Sequence, residues 1–437
     1  MIDAHGIGGQ ADLPIPLSLA VAGAVAALVL SFTILIVAWR RPRYTTPGGR
    51  PAPGALSRLV QSTGFRVVLR AAGLVGFLYA VMTAVFGEDR LTNPFFGIVY
   101  VWLWVGVIFA SVLFGPVWRA ISPMRTISAG LARLSGADPH RGVYDYPARL
   151  GHWPAALGLL SFVWLELVSP AATSLGAVRL WCAVYVAVML VGGALFGSRF
   201  HENADPFEVW STLAAKVSPW AVADGRLVLR SPLANLATVP PRHGLVAVVA
   251  VLFGSTAFDS FRESERWVKY YQGHETLTKF QLDNLALVAF CLLAGLIFVA
   301  GTMLTGVGPD QDRRSLPRHF AHSMVPILVG YLVAHYLTLF LDQGTQTLAY
   351  ASDPFGRGDD FLGTAGVSPT YWFSYHATLL ASIKVIGVVV GHVAAAVSAH
   401  DRALTVLPRH HQVTGQLPLL FAMVGFTAGG LYLLFSA

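Results

Sequence analysis

Charged residues are scarce in this sequence. Asp, Glu, Lys and Arg make up 12% of its 437 residues, about half of the ~25% that is typical of soluble proteins. A soluble chain of this length needs a charged exterior, and 30 Lys and Arg with 23 Asp and Glu are too few to cover one. Because hydrophobic residues reach 55% and lie in long uninterrupted blocks, the composition excludes a soluble protein and predicts one that crosses a membrane several times.

Cysteine is almost absent, and several common catalytic motifs are missing. Cys182 and Cys291 both lie inside apolar blocks, so they form neither a disulfide framework nor a CxxC metal site. The sequence contains no GxSxG elbow, HExxH pair, GxxxxGK[ST] loop, CxxCH motif or Rossmann glycine run. Hydrolysis by a familiar soluble mechanism, ATP-driven transport by this chain and c-type haem attachment therefore have no motif support.

Ten blocks of apolar residues are long enough to cross a membrane as helices. A helix needs about 20 residues to span the ~30 Å of hydrocarbon in a bilayer. The blocks lie at residues 17–39, 67–86, 95–115, 153–169, 177–197, 244–261, 285–305, 320–341, 372–396 and 417–436. The sequence therefore predicts an all-α fold, a polytopic transmembrane helical bundle in which residues 1–437 form a single integral membrane domain.

Positive charge is distributed unevenly between alternate loops. The loops after the first, third, fifth, seventh and ninth predicted helices hold 21 of the 30 Lys and Arg, whereas the loops and tails on the opposite side hold six. Cationic loops stay on the cytoplasmic side, so both termini are predicted outside and the long loops 116–152 and 198–243 in the cytoplasm. The expected location is the cytoplasmic (inner) membrane. The lipid bilayer is the expected partner, nucleic acid is not, and the sequence identifies no protein partner.

Polar side chains on the eighth and ninth predicted helices form a candidate polar cavity. One stripe on the eighth helix contains Tyr331, His335, Thr338 and Asp342. Their spacing of i, i+4, i+7 and i+11 places them on one helix face, and in lipid such a face turns toward protein or water. Lys384 and His392 on the ninth helix add two polar groups to the candidate cavity. The alternative is that a neighbouring helix satisfies each of these groups separately.

Two further ionisable residues flank the short loop between the fourth and fifth predicted helices. Glu166 and Arg179 stand at similar depth near the outer end of one helical hairpin. An ionisable group at membrane depth needs a partner or a purpose, so a structural ion pair between them is predicted. A carboxylate of Glu166 that contacts a substrate is the alternative.

Acidic and histidine side chains near the predicted outer face form a candidate metal site. His335, Asp342 and Asp353, with His5 as a further ligand, supply the His and Asp groups that hold a divalent metal with an open coordination position. A haem or a metal ion held by the imidazoles of His335 and His392 is the alternative cofactor. The sequence leaves the identity of any cofactor open.

Several short strings of residues together resemble a known family. They are His5-Gly6, Asp12-Leu13-Pro14-Ile15-Pro16, Ser255-Thr256-Ala257-Phe258-Asp259, Ala334-His335-Tyr336, Ser352-Asp353-Pro354-Phe355-Gly356, Gly391-His392 and Ala399-His400-Asp401-Arg402. The chain resembles, over almost its whole length, bacterial and mainly actinobacterial multipass membrane proteins commonly labelled fenitrothion hydrolase. It departs from their usual pattern at Ser260, where glycine is common, and at Asp359-Asp360, which add acid. The resemblance implies phosphotriester hydrolysis and brings no catalytic residues with it.

Three functions are compatible with these features. The first is a membrane hydrolase of hydrophobic esters with an outward-facing, metal-dependent site, which follows from the resemblance and the polar stripe. The second is a small-solute or proton-coupled transporter, which suits Lys384 and Glu166 inside the membrane. The third is a membrane subunit of a respiratory or copper-handling complex.

Overall fold

The computed structural model describes residues 12–45, 48–274, 276–305 and 312–436. His5 lies outside the described residues. The described α-helices are α1 (Leu17–Ala38), α2 (Gly54–Gln61), α3 (Thr63–Phe86), α4 (Pro94–Gly97), α5 (Val107–Phe114), α6 (Val117–Ile121), α7 (Pro123–Leu134), α8 (Trp153–Leu167), α9 (Leu175–Phe196), α10 (Ser198–Ala204), α11 (Pro206–Ala214), α12 (Pro232–Leu236), α13 (Leu245–Arg262), α14 (Glu265–Gln272), α15 (Lys279–Met303), α16 (Leu316–Phe320), α17 (Val325–Tyr350), α18 (Trp372–Tyr375), α19 (Ala377–Val406) and α20 (Leu417–Ser436). A π-helix, Ile98–Gly106, joins α4 to α5 without a break.

The fold class predicted from the apolar blocks is confirmed. Each of the ten predicted blocks is helical over most of its length, and nine helical segments of the described chain are long and apolar enough to cross a membrane. The fourth predicted block forms α8, which has only 15 residues and is therefore about 22 Å long. The protein is an all-α polytopic membrane protein.

Two membrane helices are longer than the apolar pattern indicates. α17 continues to Tyr350, so Asp342 lies inside a helix rather than at its end. α19 continues to Val406, past the polar residues His400 and Asp401, because both side chains are buried and hydrogen-bonded there. The middle of α19 is consequently near His392, and Lys384 lies closer to the beginning of the helix than the sequence predicted.

The described strands form one small antiparallel sheet in the order β1 (Arg50–Pro51), β3 (Arg226–Leu229) and β2 (Trp220–Ala223). Strands β2 and β3 are joined by Asp224 and Gly225, whose φ angles are 49° and 69°. Two successive residues with positive φ are typical of the tight turn in a β-hairpin, so Asp224 and Gly225 form the turn between β2 and β3.

Contacts along the chain define two compact units. The first contains Gly48–Ser231 and Leu339–Thr370, and the second contains the described residues up to 45, Pro232–Thr338 and the described residues from Tyr371 onward. Both units are built from apolar helices, so this grouping does not test the prediction of a single membrane domain. Helix α17 contributes its residues up to Thr338 to the second unit and the remainder to the first.

The first unit is organised around aromatic side chains. Four of its rings are buried and two, Trp181 and Tyr185, are half-buried. The buried rings are Tyr100, Trp104, Phe162 and Phe207, and the centroids of contacting pairs among the six lie 5.0–6.2 Å apart. The wide turns of the π-helix bring Tyr100 and Trp102 to backbone acceptors: the hydroxyl of Tyr100 donates to the carbonyl of Ala172, and the indole of Trp102 donates to that of Gly344. These contacts tie the π-helix to two other segments of the unit.

The second unit depends on glycines where its helices cross. A Cβ atom built on Gly330 of α17 would lie 2.3 Å from the carbonyl oxygen of Gly387 in α19, and one on Gly391 would lie 2.6 Å from that of Pro326. The backbone of α19 at Gly387 and Gly391 therefore packs directly against the backbone of α17. Glycines spaced as GxxxG allow such a close approach of two helices.

Candidate functional site

A buried carboxylate near the end of α13 is the centre of the candidate site in the second unit. Asp259 has no exposed surface. Its Oδ2 atom lies 2.9 Å from Nε2 of His335 and accepts a hydrogen bond of 3.0 Å from the hydroxyl of Tyr336. Its Oδ1 atom lies 3.3 Å from Nε of Arg262, one helical turn further along α13. Asp259 is thus held by an imidazole, a phenol and a guanidinium.

A chain of hydrogen bonds extends from the other side of the His335 ring. The hydroxyl of Ser260 lies 3.4 Å from Nδ1 of His335 and 2.9 Å from the hydroxyl of Tyr331. With Nε2–H of His335 donating to Asp259, a neutral ring accepts at Nδ1, so Ser260 donates to His335 and Tyr331 donates to Ser260. Every hydroxyl then has a partner in one consistent direction.

A buried lysine of the second unit also carries charge. Lys384 of α19 is 1% exposed, and its ammonium interacts with the carboxylates of Asp12 and Glu263. Glu263 follows Arg262 directly along the chain. Carboxylates and cations therefore alternate from Asp12 through this region to Asp259, and the membrane-embedded charges compensate one another.

His392 and Thr338 are also buried, but each has a polar atom that lacks a hydrogen-bond partner among the described residues. His392 is 2% exposed, and its Nδ1 atom donates to the carbonyl of Val388 in the same helix at 2.8 Å. Its Nε2 atom and the hydroxyl of Thr338 have no hydrogen-bond partner in the part of the chain that the structure describes. The hydrogen bond of His392 is therefore made within α19. The alternative, in which a neighbouring helix satisfies each polar group, does not describe this bond.

An apolar cavity of about 180 Å³ lies beside the hydrogen-bond chain, between α13, α15, α17 and α20. The residues that line it include Phe253, Phe290, Ile297, Leu328, Phe426 and Tyr331. Gly430 of α20 also lines the cavity, and a Cβ atom there would lie at contact distance, 3.4 Å, from the ring of Tyr331. Tyr331 therefore connects an apolar cavity to Ser260 and His335.

The predicted metal ligands His335, Asp342 and Asp353 have different contacts in the structure. His335 contacts Asp259, whereas both carboxylate oxygens of Asp353 accept backbone N–H groups, those of Arg357 and Gly358 at 2.9 and 2.7 Å. Asp342 lies two helical turns beyond His335 on α17, which is about 10 Å along the axis. No group of three or more His, Cys, Asp or Glu among the described residues is placed to hold a metal ion. A metal centre formed by His335, Asp342 and Asp353 stays a prediction.

The two residues of the ion pair predicted in the first unit differ in burial, since Glu166 is buried and Arg179 is exposed. Glu166 near the end of α8 is 5% exposed. The guanidinium of Arg179 donates to the carbonyl oxygen of Ala84 in α3 at 3.1 Å. This bond gives Arg179 a backbone partner, and its pairing with Glu166 stays a prediction.

A second buried acidic cluster lies outside the membrane-spanning segments, in the first unit. Asp205 precedes α11 and accepts hydrogen bonds from the backbone N–H groups of Phe207 and Glu208, the indole of Trp118 and the hydroxyl of Tyr185, at 3.0–3.2 Å. Burial, and then the charge of Glu208, raise the pKa of Asp205 from 3.8 to about 7. Arg125 of α7 forms a bidentate ion pair with Glu208 at 2.5 Å. The cluster fastens α6 and α7 to α11.

Asp259 is the main residue that the sequence did not identify. It stands near the end of the weakest predicted block, 244–261, where an acidic residue resembles the end of a membrane helix. The string Ser255–Asp259 and the following Ser260 are the signal in the sequence that could have identified Asp259. In the sequence they support only the family resemblance. His335 and Tyr331 were identified correctly as members of a polar stripe, and the acid that pairs with His335 was not.

The fold and the buried network define the class of this chain, an all-α polytopic membrane protein with ionisable residues inside its helices. Comparison with protein-family models, with curated proteins and with solved structures finds no match. The function must therefore be inferred from the residues themselves.

Proposed function

We propose that this chain is a proton-coupled transporter of the cytoplasmic membrane, and that the Asp259–His335 pair carries the proton. The observation that supports the proposal is a histidine–carboxylate pair at 2.9 Å with 2% and 0% of the side chains exposed, inside two apolar helices. A charged side chain at the centre of a bilayer costs about 2.5–3.5 kcal/mol, and such residues mark ion pathways and proton relays.

The hydrogen-bond chain gives the pair a way to gain and lose a proton. When His335 is neutral, hydrogen bonds run from Tyr331 through Ser260 to Nδ1. A proton arriving along this chain binds Nδ1, and the ring then donates to Ser260, so the direction of both hydroxyls reverses. The imidazolium is stabilised by the carboxylate of Asp259 at Nε2. The two states differ by one proton and by the direction of two hydrogen bonds.

Charge compensation by the neighbouring residues allows the pair to change its charge inside lipid. Arg262 balances Asp259 while His335 is neutral, and the Lys384 ammonium interacts with Asp12 and Glu263. A membrane-embedded group that cycles between two charges needs such fixed counter-charges, because lipid supplies none.

A pH jump on a solid-supported membrane tests the proposal without knowledge of the solute. Proteoliposomes of the wild-type protein are expected to give a transient charge displacement when the external pH is lowered, because protons enter the site. His335→Gln and Asp259→Asn should reduce the displaced charge by at least about tenfold. Asp283→Asn is the matched control, since Asp283 is a buried carboxylate of the same unit that pairs with Lys279 and Trp267.

The outcomes separate the proposal from a structural role. A wild-type displacement that persists in folded His335→Gln protein would contradict the assignment of the pair. An equal loss in Asp283→Asn would show that any buried charge of the unit has this effect. Folding is checked by size-exclusion chromatography of each variant before reconstitution.

A hydrolase of hydrophobic esters is the second candidate, and one observation favours it. Ser260, His335 and Asp259 are connected in the order hydroxyl, imidazole and carboxylate, which is the arrangement that activates a serine. The adjoining cavity of about 180 Å³ is large enough for an aromatic ring, since an apolar cavity of about 150 Å³ binds benzene. Ser260 would attack an aryl phosphotriester, His335 would accept its proton, the aryloxide would leave, and water would then release the phosphoryl group.

A fluorophosphonate probe tests this second function directly. The reagent should label Ser260 in wild-type protein, as identified by mass spectrometry, and Ser260→Ala should lose both the label and the release of nitrophenolate from a nitrophenyl phosphotriester. Absence of label in a preparation that shows the pH-driven charge displacement would leave the transporter as the only supported function.

A further inference from the structure

A cluster of cationic side chains lies at the end of the second unit that the distribution of Lys and Arg predicts to be cytoplasmic. Arg318 of α16 has its Nη1 atom 3.0 and 3.3 Å from the two ring nitrogens of His243. Arg402 of α19 donates from Nη2 to the carbonyl oxygen of Ala237, just after α12, at 2.8 Å. Helix α16 contacts α19, and both guanidinium groups act electrostatically on His319. Two arginines from separate helices therefore share one small region.

This cluster has little negative charge near it. Neither Arg318 nor Arg402 forms an ion pair among the residues that the structure describes. The carboxylate that acts on Arg402 is Asp401. Its oxygens already accept hydrogen bonds from the indole of Trp39 at 3.1 Å and from the backbone N–H groups of Arg43 and Tyr44 at 2.7 and 3.3 Å. The cluster consequently carries an excess of positive charge.

The two guanidinium groups are held in place by neutral partners and keep free donors. Both side chains are half-buried, and each is fixed by its contact with His243 or Ala237. A guanidinium has five N–H donors, of which a single carbonyl or imidazole occupies one or two. The remaining donors match the oxygens of a phosphate group, which arginine binds through paired hydrogen bonds.

We propose that Arg318 and Arg402 form a binding site for a phosphate-bearing anion. The anion would neutralise the excess charge and connect α16 to α19. Basic pockets between membrane helices on the cytoplasmic side bind anionic lipid headgroups, and a free phosphate compound offers the same chemistry from solution. The site is separate from the Asp259–His335 pair and does not depend on the transport function.

Two experimental arms distinguish the lipid from the soluble anion. In the first, wild-type protein is purified from nanodiscs of phosphatidylcholine with phosphatidylglycerol, and native mass spectrometry counts the phosphatidylglycerol molecules that remain bound. In the second, inorganic phosphate and pyrophosphate are titrated into protein in neutral detergent, and the melting temperature is followed. Arg318→Gln with Arg402→Gln should weaken binding in the responding arm by roughly 30-fold, since each arginine near an anionic surface contributes about 1 kcal/mol.

The matched control is Arg313→Gln with Arg314→Gln, which removes the same charge from two exposed arginines of the preceding turn. It should weaken binding by less than about threefold. An equal effect of both double variants, or no binding in either arm, would overturn the proposal. Arg318→Lys with Arg402→Lys should restore part of the affinity. If the double glutamine variant does not fold, Arg318→Gln alone serves, because its only described polar contact is with His243.

Discussion

The two units of this protein use buried carboxylates in different ways. In the first unit, Asp205 lies outside the membrane-spanning segments and is held by donors that keep their protons, two backbone N–H groups, an indole and a phenol. In the second unit, Asp259 lies inside a membrane helix and is held by His335, whose ring can gain or lose a proton. The comparison indicates that Asp205 connects helices through donors that keep their protons, whereas Asp259 contacts a ring that can itself gain or lose a proton.

The largest effect that we expect is the pH dependence of folding stability that Asp205 causes. Its pKa rises from 3.8 to about 7 on folding, so the folded protein binds more protons between these values and its stability falls as pH rises through them. The decrease amounts to about 4 kcal/mol. Wild-type protein should therefore melt at a lower temperature near pH 8 than near pH 5, relative to Asp205→Asn.

The wild-type protein must be compared with Asp205→Asn in this measurement, because His201 also makes stability depend on pH. Burial, and then the charge of Arg125, lower the pKa of His201 from 6.5 to about 4, which gives an opposite slope between these values. His201 is present in both proteins, so its contribution cancels in the difference. If the melting temperatures of wild type and Asp205→Asn change equally with pH, the raised pKa of Asp205 would be contradicted.

Removal of the ion pair beside Asp205 should produce the next largest effect. Arg125→Gln leaves Glu208, which is 1% exposed, without its cation. The expected loss of stability is about 3 kcal/mol, toward the lower end for buried pairs, because 16% of the Arg125 side chain is exposed. The control Arg119→Gln breaks an exposed pair with Glu202 and should cost less than about 1 kcal/mol. Equal losses in a chemical unfolding titration would argue against a fastening role for the buried pair.

The tight crossing in the second unit predicts a smaller effect from an added methyl group. Gly330→Ala would place a Cβ atom 2.3 Å from the carbonyl oxygen of Gly387, so the two helices must separate. A cost of about 2 kcal/mol is expected. Gly23→Ala on α1 is the control, since nothing lies within 4 Å of its Cβ position. If Gly330→Ala melts like Gly23→Ala, the close approach is not required.

The smallest expected effect separates the two partners of Asp259. Tyr336→Phe removes the phenol that donates to Oδ2 at 3.0 Å and leaves His335 in place. We expect a loss of about 1.5 kcal/mol and an unchanged charge displacement, since the exchangeable partner remains. Tyr375→Phe, at a tyrosine that is 80% exposed, should change neither quantity. A charge displacement lost in Tyr336→Phe would mean that the phenol, not the imidazole, carries the proton.

The sequence predicted the helices well because length and hydropathy decide which segments cross a lipid bilayer. It predicted the ends of α17 and α19 poorly. Polar residues such as His400 and Asp401 resemble a loop, although burial and hydrogen bonds keep them helical.

The candidate site was predicted only in part for a similar reason. The spacing of Tyr331 and His335 is a property of one helix and is visible in the sequence. The partner Asp259 is 76 residues away along the chain, and no local pattern shows which helix packs against another.

The most direct test of the proton site is nitrogen NMR of the reconstituted protein with ¹⁵N-labelled histidine, recorded over a pH titration. The signal of His335 is assigned by its absence in His335→Gln. We expect this ring to change from one protonated nitrogen to two when the pH is lowered, and the signal of Nε2 to change in Asp259→Asn, which removes the carboxylate that Nε2 contacts at 2.9 Å. A His335 ring whose two nitrogens keep the same state throughout the titration would contradict the account.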